Sequence, residues 1–158
     1  MKSTRNIHPS DYDEIILKLN DWWGGRQMAD MLPKLFFNHF SNTSFIVCDQ
    51  EETVGFIIGF LSQSQTDKAY VHFVGVHPDY RSQGIGRELY SCFFRAVASK
   101  GIKEVGCVTA PTNTASIKFH RSIGFVPKPG KDQNEDGIPY QKDYDGPGQD
   151  RVVFTFKI

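Results

Sequence analysis

The chain has 158 residues, with 18 Lys+Arg against 18 Asp+Glu and so no formal net charge. That length suits one domain with a real hydrophobic core, and 23% charged against 39% hydrophobic residues excludes a disordered chain. Neutrality argues against a broad basic surface for nucleic acid or an anionic membrane, and no apolar run approaches the roughly 20 residues of a spanning helix.

Arg5 to His8 reads as a short strand. Ser10, followed by Asp13 and Glu14, marks a helix start close to a capping box, and Ile15, Ile16, Leu19 and Trp22 follow at helical spacing. Gly24-Gly25 stops that helix and leaves Trp22-Trp23-Gly24-Gly25-Arg26 as an ordered loop. A second helix is predicted from about Met31 to Phe40, with Pro33 in its first turn. Phe45–Cys48 and Val54–Leu61 are β-rich and joined as a hairpin by Asp49-Gln50-Glu51-Glu52. Tyr70–Val76 is the next strand, with Tyr70, His72, Val74 and Val76 predicted on one face, and Pro78 ends it.

Gly84 to Ser99 is an amphipathic helix with Ile85, Leu89, Phe93, Ala96 and Val97 on one stripe. Val105–Thr109 is a strand, Asn113–Ile123 a short helix ending at Gly124, and Phe125-Val126 begins another strand. From Pro127 to Asp150 the pattern disappears: eight of these 24 residues are Gly or Pro, which points to a functional or mobile loop. Arg151–Ile158 alternates as a closing strand. The order β-α-α-β-β-β-α-β-α-β-β gives a mixed α/β (α+β) fold: a mostly antiparallel sheet flanked by helices, in one domain over residues 1–158.

Cys48, Cys92 and Cys107 are odd in number and form no CxxC pair, so buried thiols in a reducing cytoplasm are expected rather than a disulfide framework. No zinc spacing links them to the five histidines, and no metal is expected. The N-terminus lacks the apolar core of a signal peptide, which adds to a cytoplasmic reading.

The most informative stretch is Val74-Gly75-Val76-His77-Pro78-Asp79-Tyr80-Arg81-Ser82-Gln83-Gly84-Ile85-Gly86-Arg87. A buried strand ends at a proline, a polar turn follows, and a helix begins at once. The first turn of a helix has unpaired N–H groups and a partial positive charge, which suits a phosphate. Gly84 and Gly86 are expected to let a ligand reach the backbone, and Arg81 and Arg87 add charge. A dinucleotide fingerprint fails at Leu89, and a Walker A loop fails for want of GKS or GKT. A turn that needs its glycines for architecture alone is the plain alternative.

Arg81-x-x-Gly84-x-Gly86, with its Val76-x-Pro78-x-x-Arg81 lead-in, resembles the acyl-CoA pyrophosphate loop of the GNAT superfamily of N-acyltransferases. Downstream, Asn113, Ser116 and Gly124-Phe125 are similar to that family's second cofactor-contacting helix, with His120 where a tyrosine is common. The resemblance implies acetyl-CoA as co-substrate, held by Val74, Val76, Arg81, Ser82, Gln83, Gly84, Ile85, Gly86, Arg87, Asn113, Ser116 and Phe119. It implies transfer of the acetyl group to a primary amine by direct attack, through a tetrahedral intermediate. His120 then stands where the acid that protonates the leaving thiolate is expected, against the alternative of a histidine that only packs. An alkylamine has a pKa of about 10.4, so a base must help, and His72 is the candidate; a half-buried strand histidine is the other reading. Backbone N–H groups near Val74 are expected to polarise the carbonyl where the strand parts from its neighbour, with Gly75 suited to a bulge.

Trp22, Trp23, Arg26 and Tyr70 are the expected acceptor-binding residues. Two adjacent tryptophans cannot both face one core, and Arg26 suits a substrate carboxylate. The acidic residues of the 127–150 loop are expected either to close over a cationic amine or to be solvated. The expected partner is a small-molecule or amino-acid-like amine, with no nucleic acid and no membrane, and a homodimer is compatible with the sequence. A protein or peptide N-acetyltransferase and a non-catalytic acyl-CoA-binding module are the alternatives.

Overall fold

The computed structural model describes residues 1–158. In chain order the elements are β1 (Lys2–Asn6), α1 (Tyr12–Trp22), α2 (Leu35–His39), β2 (Phe45–Asp49), β3 (Glu52–Leu61), β4 (Lys68–Val76) and α3 (Ile85–Ala98). They continue with β5 (Glu104–Thr109), α4 (Thr114–Ile123), β6 (Val126–Pro127), β7 (Asp132–Gln133), β8 (Pro139–Tyr140) and β9 (Val152–Lys157). Seven strands form one sheet in the order β1-β2-β3-β4-β5-β9-β6, and β7 pairs with β8. Every pairing is antiparallel except β4 with β5.

Each face of the sheet has its own core. On one side Ile85, Leu89, Tyr90, Phe93 and Val97 of α3 and Ile117 of α4 pack on Ile57, Ala69, Val71, Val105 and Phe154. On the other, Ile15, Leu19 and Trp22 of α1 and Phe37 of α2 pack on Ile46, Phe56, Ile58 and Phe73. The buried α1 side chains recur at the helical spacing read from the sequence, which is why this short helix lies flat on the sheet.

Several boundaries differ from expectation. The first strand ends at Asn6, because Arg5 turns out to pair with Asp11 (Nη1–Oδ2 2.8 Å), whose carboxylate also accepts the His8 N–H at 2.7 Å. Those contacts form a capping box around His8 and Asp11 on a single 3-10 turn ahead of α1, in place of the expected Ser10 cap. Burial pushes the Asp11 carboxyl up, but hydrogen bonds from Arg5 and the His8 N–H outweigh it and hold it below its ordinary value. The predicted 31–40 helix is split: a 3-10 turn at Ala29–Met31 precedes Pro33, and helix proper begins at Leu35. Residues 127–150 are folded, by the β7–β8 hairpin, a Gln141–Arg151 bridge and side-chain bonds from Asn134, Asp143 and Asp150.

The strand that organises the site is β4. Its register with β3 runs Ile57↔Val74, Ile58↔Phe73 and then Gly59↔Val71, so His72 is the extra residue of a β-bulge. The bulge lies three residues before the expected Gly75, and it splits the face predicted for Tyr70, His72, Val74 and Val76. Phe73 packs with the α1–α2 core while Val74 and Val76 pack with the α3 core, and His72 stacks on Phe36 of α2. Gly75 instead lies beneath Trp23 and Phe56, where an added Cβ would sit 2.8 Å from each ring.

Gly59 allows α3 to approach β3, since a Cβ there would fall 2.2 Å from Phe93 Cε1. Gly59→Ala is expected to lower stability by about 2 kcal/mol through overpacking, and Gly59→Ala with Phe93→Leu to recover part of the loss. Urea unfolding of the two variants checks this; an unchanged midpoint for Gly59→Ala would show that Phe93 moves aside freely.

Candidate functional site

β4 and β5 pair only at Lys68–Glu104, Ala69–Val105 and Tyr70–Gly106. Beyond Tyr70 the strands part, so the second half of β4 has no partner on that side. The His77 N–H bonds the Val54 carbonyl on β3, so by strand alternation Gly75 also faces β3, whereas the backbone groups of Val74 and Val76 face the gap. The Val76 carbonyl accepts from Arg81 Nε at 3.2 Å, as that geometry requires.

The gap opens into a cleft of about 750 Å³, a volume suited to a cofactor-sized ligand. Its walls come from the end of β4, the 22–26 loop, the turn into α3 and one side of α4. Ser82 (φ +63°) and Gly84 (φ +83°) turn the chain through left-handed conformations ahead of α3. The result is a run of six N–H groups, residues 82–87, that find no acceptor within the chain, the first intrahelical bond being Glu88 N–H to Gly84 C=O. These donors converge on the helix end where an anion is favoured.

The two glycines do different work. A Cβ on Gly84 would meet nothing within 4 Å, so this position is open to a ligand. A Cβ on Gly86 would lie 2.7 Å from Phe119 Cζ, so Gly86 serves the close packing of α3 on α4 as well as lining the cleft. Arg81 is also bonded within the chain. Its guanidinium donates to the Trp22 carbonyl, which ties the acceptor-side loop to the phosphate turn. Arg87 reaches across to the Ser122 carbonyl (3.2 Å) and hydroxyl (3.0 Å) at the end of α4. Asn113 caps α4, its Oδ1 accepting the Ser116 N–H at 3.2 Å.

Of the expected cofactor-site residues, Val74, Val76, Arg81, Ser82, Gly84, Ile85, Gly86, Arg87, Asn113, Ser116 and Phe119 line the cleft. Gln83 does not; its amide bonds the Asp79 carbonyl at 3.3 Å. Trp22, Trp23 and Arg26 also line it, Trp22 as a buried ring and Trp23 as a half-buried one. Tyr70 and His72 lie outside this cleft, on the α1–α2 face of the sheet. His72 Nε2–H donates to the Met31 carbonyl at 2.6 Å, and its ring stacks on Phe36 at 4.2 Å. That donation leaves Nδ1 as the basic nitrogen of the neutral ring.

His120 has different surroundings. It is buried, Nδ1–H donates to the Ser116 carbonyl at 2.8 Å, and Nε2 accepts from the Tyr90 hydroxyl at 2.7 Å. Burial lowers its pKa, partly offset by the bond to Ser116, so the ring is neutral. A neutral imidazole with both nitrogens committed has no proton to give. Its surroundings therefore do not fit the general acid expected at this position, and they make it a buried link between α3 and α4. Sequence reading missed Tyr90; its signal was a hydroxyl on the buried stripe of α3 that needed a partner. Cys107 lies behind it, its thiol pushed up to about 12 by burial, which keeps it inert. Of the loop carboxylates expected over an amine, Asp145 is used internally on Arg151 (2.8 Å) and Asp143 and Asp150 on loop N–H groups, whereas the side chains of Asp132, Glu135 and Asp136 bond no group of the chain.

The sequence profile of the Acetyltransferase (GNAT) family matches residues 5–125. The chain belongs to the GNAT family. Among curated relatives it is similar to L-2,4-diaminobutyric acid acetyltransferase of Shouchella clausii, 31% identical over 85 residues, 54% of this chain and 48% of that protein. The matched stretch is likewise under half of the two relatives with the next strongest similarity, at 40% and 46%. Among solved structures, a GNAT-family protein from Desulfovibrio desulfuricans has a TM-score of 0.80 at 14% identity, covering 99% of both chains. Diaminobutyrate acetyltransferase from Paenibacillus lautus, solved with its substrate L-2,4-diaminobutyric acid and coenzyme A, has a TM-score of 0.71 at 19% identity. It covers 99% of this chain and 95% of that one. At these identities the structural likeness shows the GNAT fold, a mostly antiparallel sheet between helices. No helix is long and apolar enough to cross a membrane.

The neutral His120 predicts a pH dependence of stability. Its folded pKa lies below the ordinary value of about 6.5, so acid protonates the unfolded chain first. The His120 contribution is therefore intact above about pH 6.5 and is lost as pH falls through the folded pKa. Urea unfolding between pH 8 and 5 should show this decline, and His120→Gln should flatten it. Equal slopes for the two proteins would show that the ring is not held neutral.

Proposed function

We propose that the chain is an acetyl-CoA-dependent N-acetyltransferase acting on the primary amine of a small, amino-acid-like acceptor. The observation that carries this reading is the run of six unpartnered N–H groups at residues 82–87, opening into the cleft that ends at the unpaired edge of β4. The N–H groups fit a pyrophosphate, with Arg87 beside them, and the backbone of Val74 with the Val76 N–H fits the amide-bearing arm of the co-substrate. Acetyl-CoA supplies the activated acetyl thioester.

The remaining work falls to the chain. The Val74 N–H, aimed into the gap, is the donor placed to polarise a carbonyl, a contact worth about 3 kcal/mol of barrier where it is preorganised. His72 Nδ1 takes the proton of the attacking amine, with Nε2–H fixed by the Met31 carbonyl so that the tautomer is set. The amine nitrogen adds to the thioester carbonyl, the tetrahedral intermediate collapses as the C–S bond breaks, and the base passes its proton to solvent. An ordinary thiol has a pKa of about 8.5, so the departing thiolate takes a proton from water near neutral pH without a dedicated acid. The Ser116 hydroxyl, 3.2 Å from His120 Nδ1, lies on the α4 wall of the cleft.

The amino-acid-like acceptor follows from charge. Arg26, Arg81 and Arg87 line the cleft with no Asp or Glu among the lining residues, and Arg26 is exposed and unpaired. Such a wall favours an acceptor with a carboxylate and disfavours a polycation.

Two measurements test the reading. Gly84→Glu places a side chain and a negative charge where the donors converge. It should weaken acetyl-CoA binding by about 100-fold or more in calorimetric titration while leaving the protein folded. Saturable binding with unchanged affinity would return the turn to architecture. His72→Gln should leave that affinity intact and lower kcat by about 10²- to 10⁴-fold in a thiol-release assay; a loss of less than threefold removes His72 as the base.

A further inference from the structure

We propose that the acceptor carries an aromatic ring beside its amine, seated on a strip of aromatic side chains that runs from His72 along the α1–α2 face of the sheet. The proposal rests on the acetyltransferase reading and names the substrate class that this reading leaves open. From the bulge, His72 stacks on Phe36 with centroids 4.2 Å apart and planes 9° from parallel. Phe36 lies 5.5 Å from Phe40, Phe40 5.2 Å from Phe60, and Phe60 5.6 Å from Tyr70. Five rings from α2, the residue that caps its end, β3 and β4 thus form a continuous row.

None of the five is fully buried, whereas Phe37 and Phe73 from the same elements are. At one edge of the row Met31 and Leu35 are each 47% exposed. A contiguous apolar surface of this kind on a soluble domain marks a place where something binds. Flat, stiff side chains hold another flat ring by offset or edge contacts at low entropic cost.

Position and charge select the occupant. The bulge adds Phe73 to the face that Tyr70 and His72 share by alternation, so the row begins at the candidate base itself. Charged groups around Tyr70 are closed on themselves: Arg151 pairs with Asp145 at 2.8 Å, and Lys68 with Glu104 at 3.2 Å. The Asp145 and Glu104 carboxylates are thus taken, and an uncharged ring needs neither.

The test compares amino-acid acceptors with different side chains. L-phenylalanine, L-norleucine and L-2,4-diaminobutyric acid are given to the full chain with acetyl-CoA, and kcat/KM is read by thiol release. L-phenylalanine is expected to exceed each of the others by at least about 10-fold, from the pocket-burial difference that a ring makes. Phe40→Ala should collapse that ratio to below threefold without changing acetyl-CoA affinity, and Phe40→Leu, which keeps bulk but not flatness, should give an intermediate ratio. Saturation-transfer NMR of L-phenylalanine with the CoA-saturated protein gives an independent readout, in which ring-proton signals seen with the wild type are lost in Phe40→Ala. Equal or greater efficiency with diaminobutyric acid overturns the proposal and leaves the acetyltransferase reading standing. No ring-proton transfer overturns it whatever the turnover. Ring-proton transfer that Phe40→Ala removes, in a protein that transfers acetyl to no amine, supports the aromatic seat and sinks the enzyme reading alone. A dimer in sedimentation that Phe40→Ala dissociates, with amine preference unchanged, assigns the strip to a second copy and overturns the proposal.

Discussion

The structure depends on the parting of β4 from β5. Both strands leave the bottom of the sheet as a parallel pair, and after three residues the ladder ends. A buried strand edge with unpaired N–H and C=O groups would be costly in a closed core, so that edge must face a cleft that something else can fill. The bulge at His72 is what lets β4 bend away while keeping its ladder with β3. From that bend follow the two-sided site, the exposure of Val74 and Val76 to one side, and the presentation of Tyr70 and His72 to the other.

Much of this was legible in the sequence because its signals are local. The α3 stripe of Ile85, Leu89, Phe93 and Val97, the left-handed Gly84 and the strand-turn-helix around Arg81 depend on near neighbours only, and they appear where periodicity and glycine placement put them. The element order was readable for the same reason. The bulge was not, because it is a matter of register between β3 and β4. A period-2 reading of Tyr70–Val76 assigns Val74 to the face of His72, and one inserted residue reverses that assignment. Gly75 drew attention as a lone glycine in a strand, but its need is set by Trp23 and Phe56 from elsewhere in the chain.

The polar side chains show the same division. That Asn113 begins a helix is visible in sequence; that its carbonyl is spent on capping is a structural fact. His120 was conspicuous as a titratable residue on the helix face of Ser116, yet its chemistry is set by Tyr90, thirty positions away, and by burial under Phe154 and Phe125. The 127–150 segment lacked any apolar pattern because hairpins of two-residue strands and side-chain-bonded turns hold it, and neither leaves a periodic trace.

The bond from Arg81 to the Trp22 carbonyl joins the two halves of the cleft. The loop carrying Trp23 and Arg26 is anchored to the same short turn whose N–H groups await an anion. An anion drawn onto residues 82–87 competes for, or reinforces, the guanidinium that holds the opposite wall in place. The two walls of the cleft are therefore mechanically coupled: whatever the turn holds bears, through one guanidinium, on how far the 22–26 loop can move.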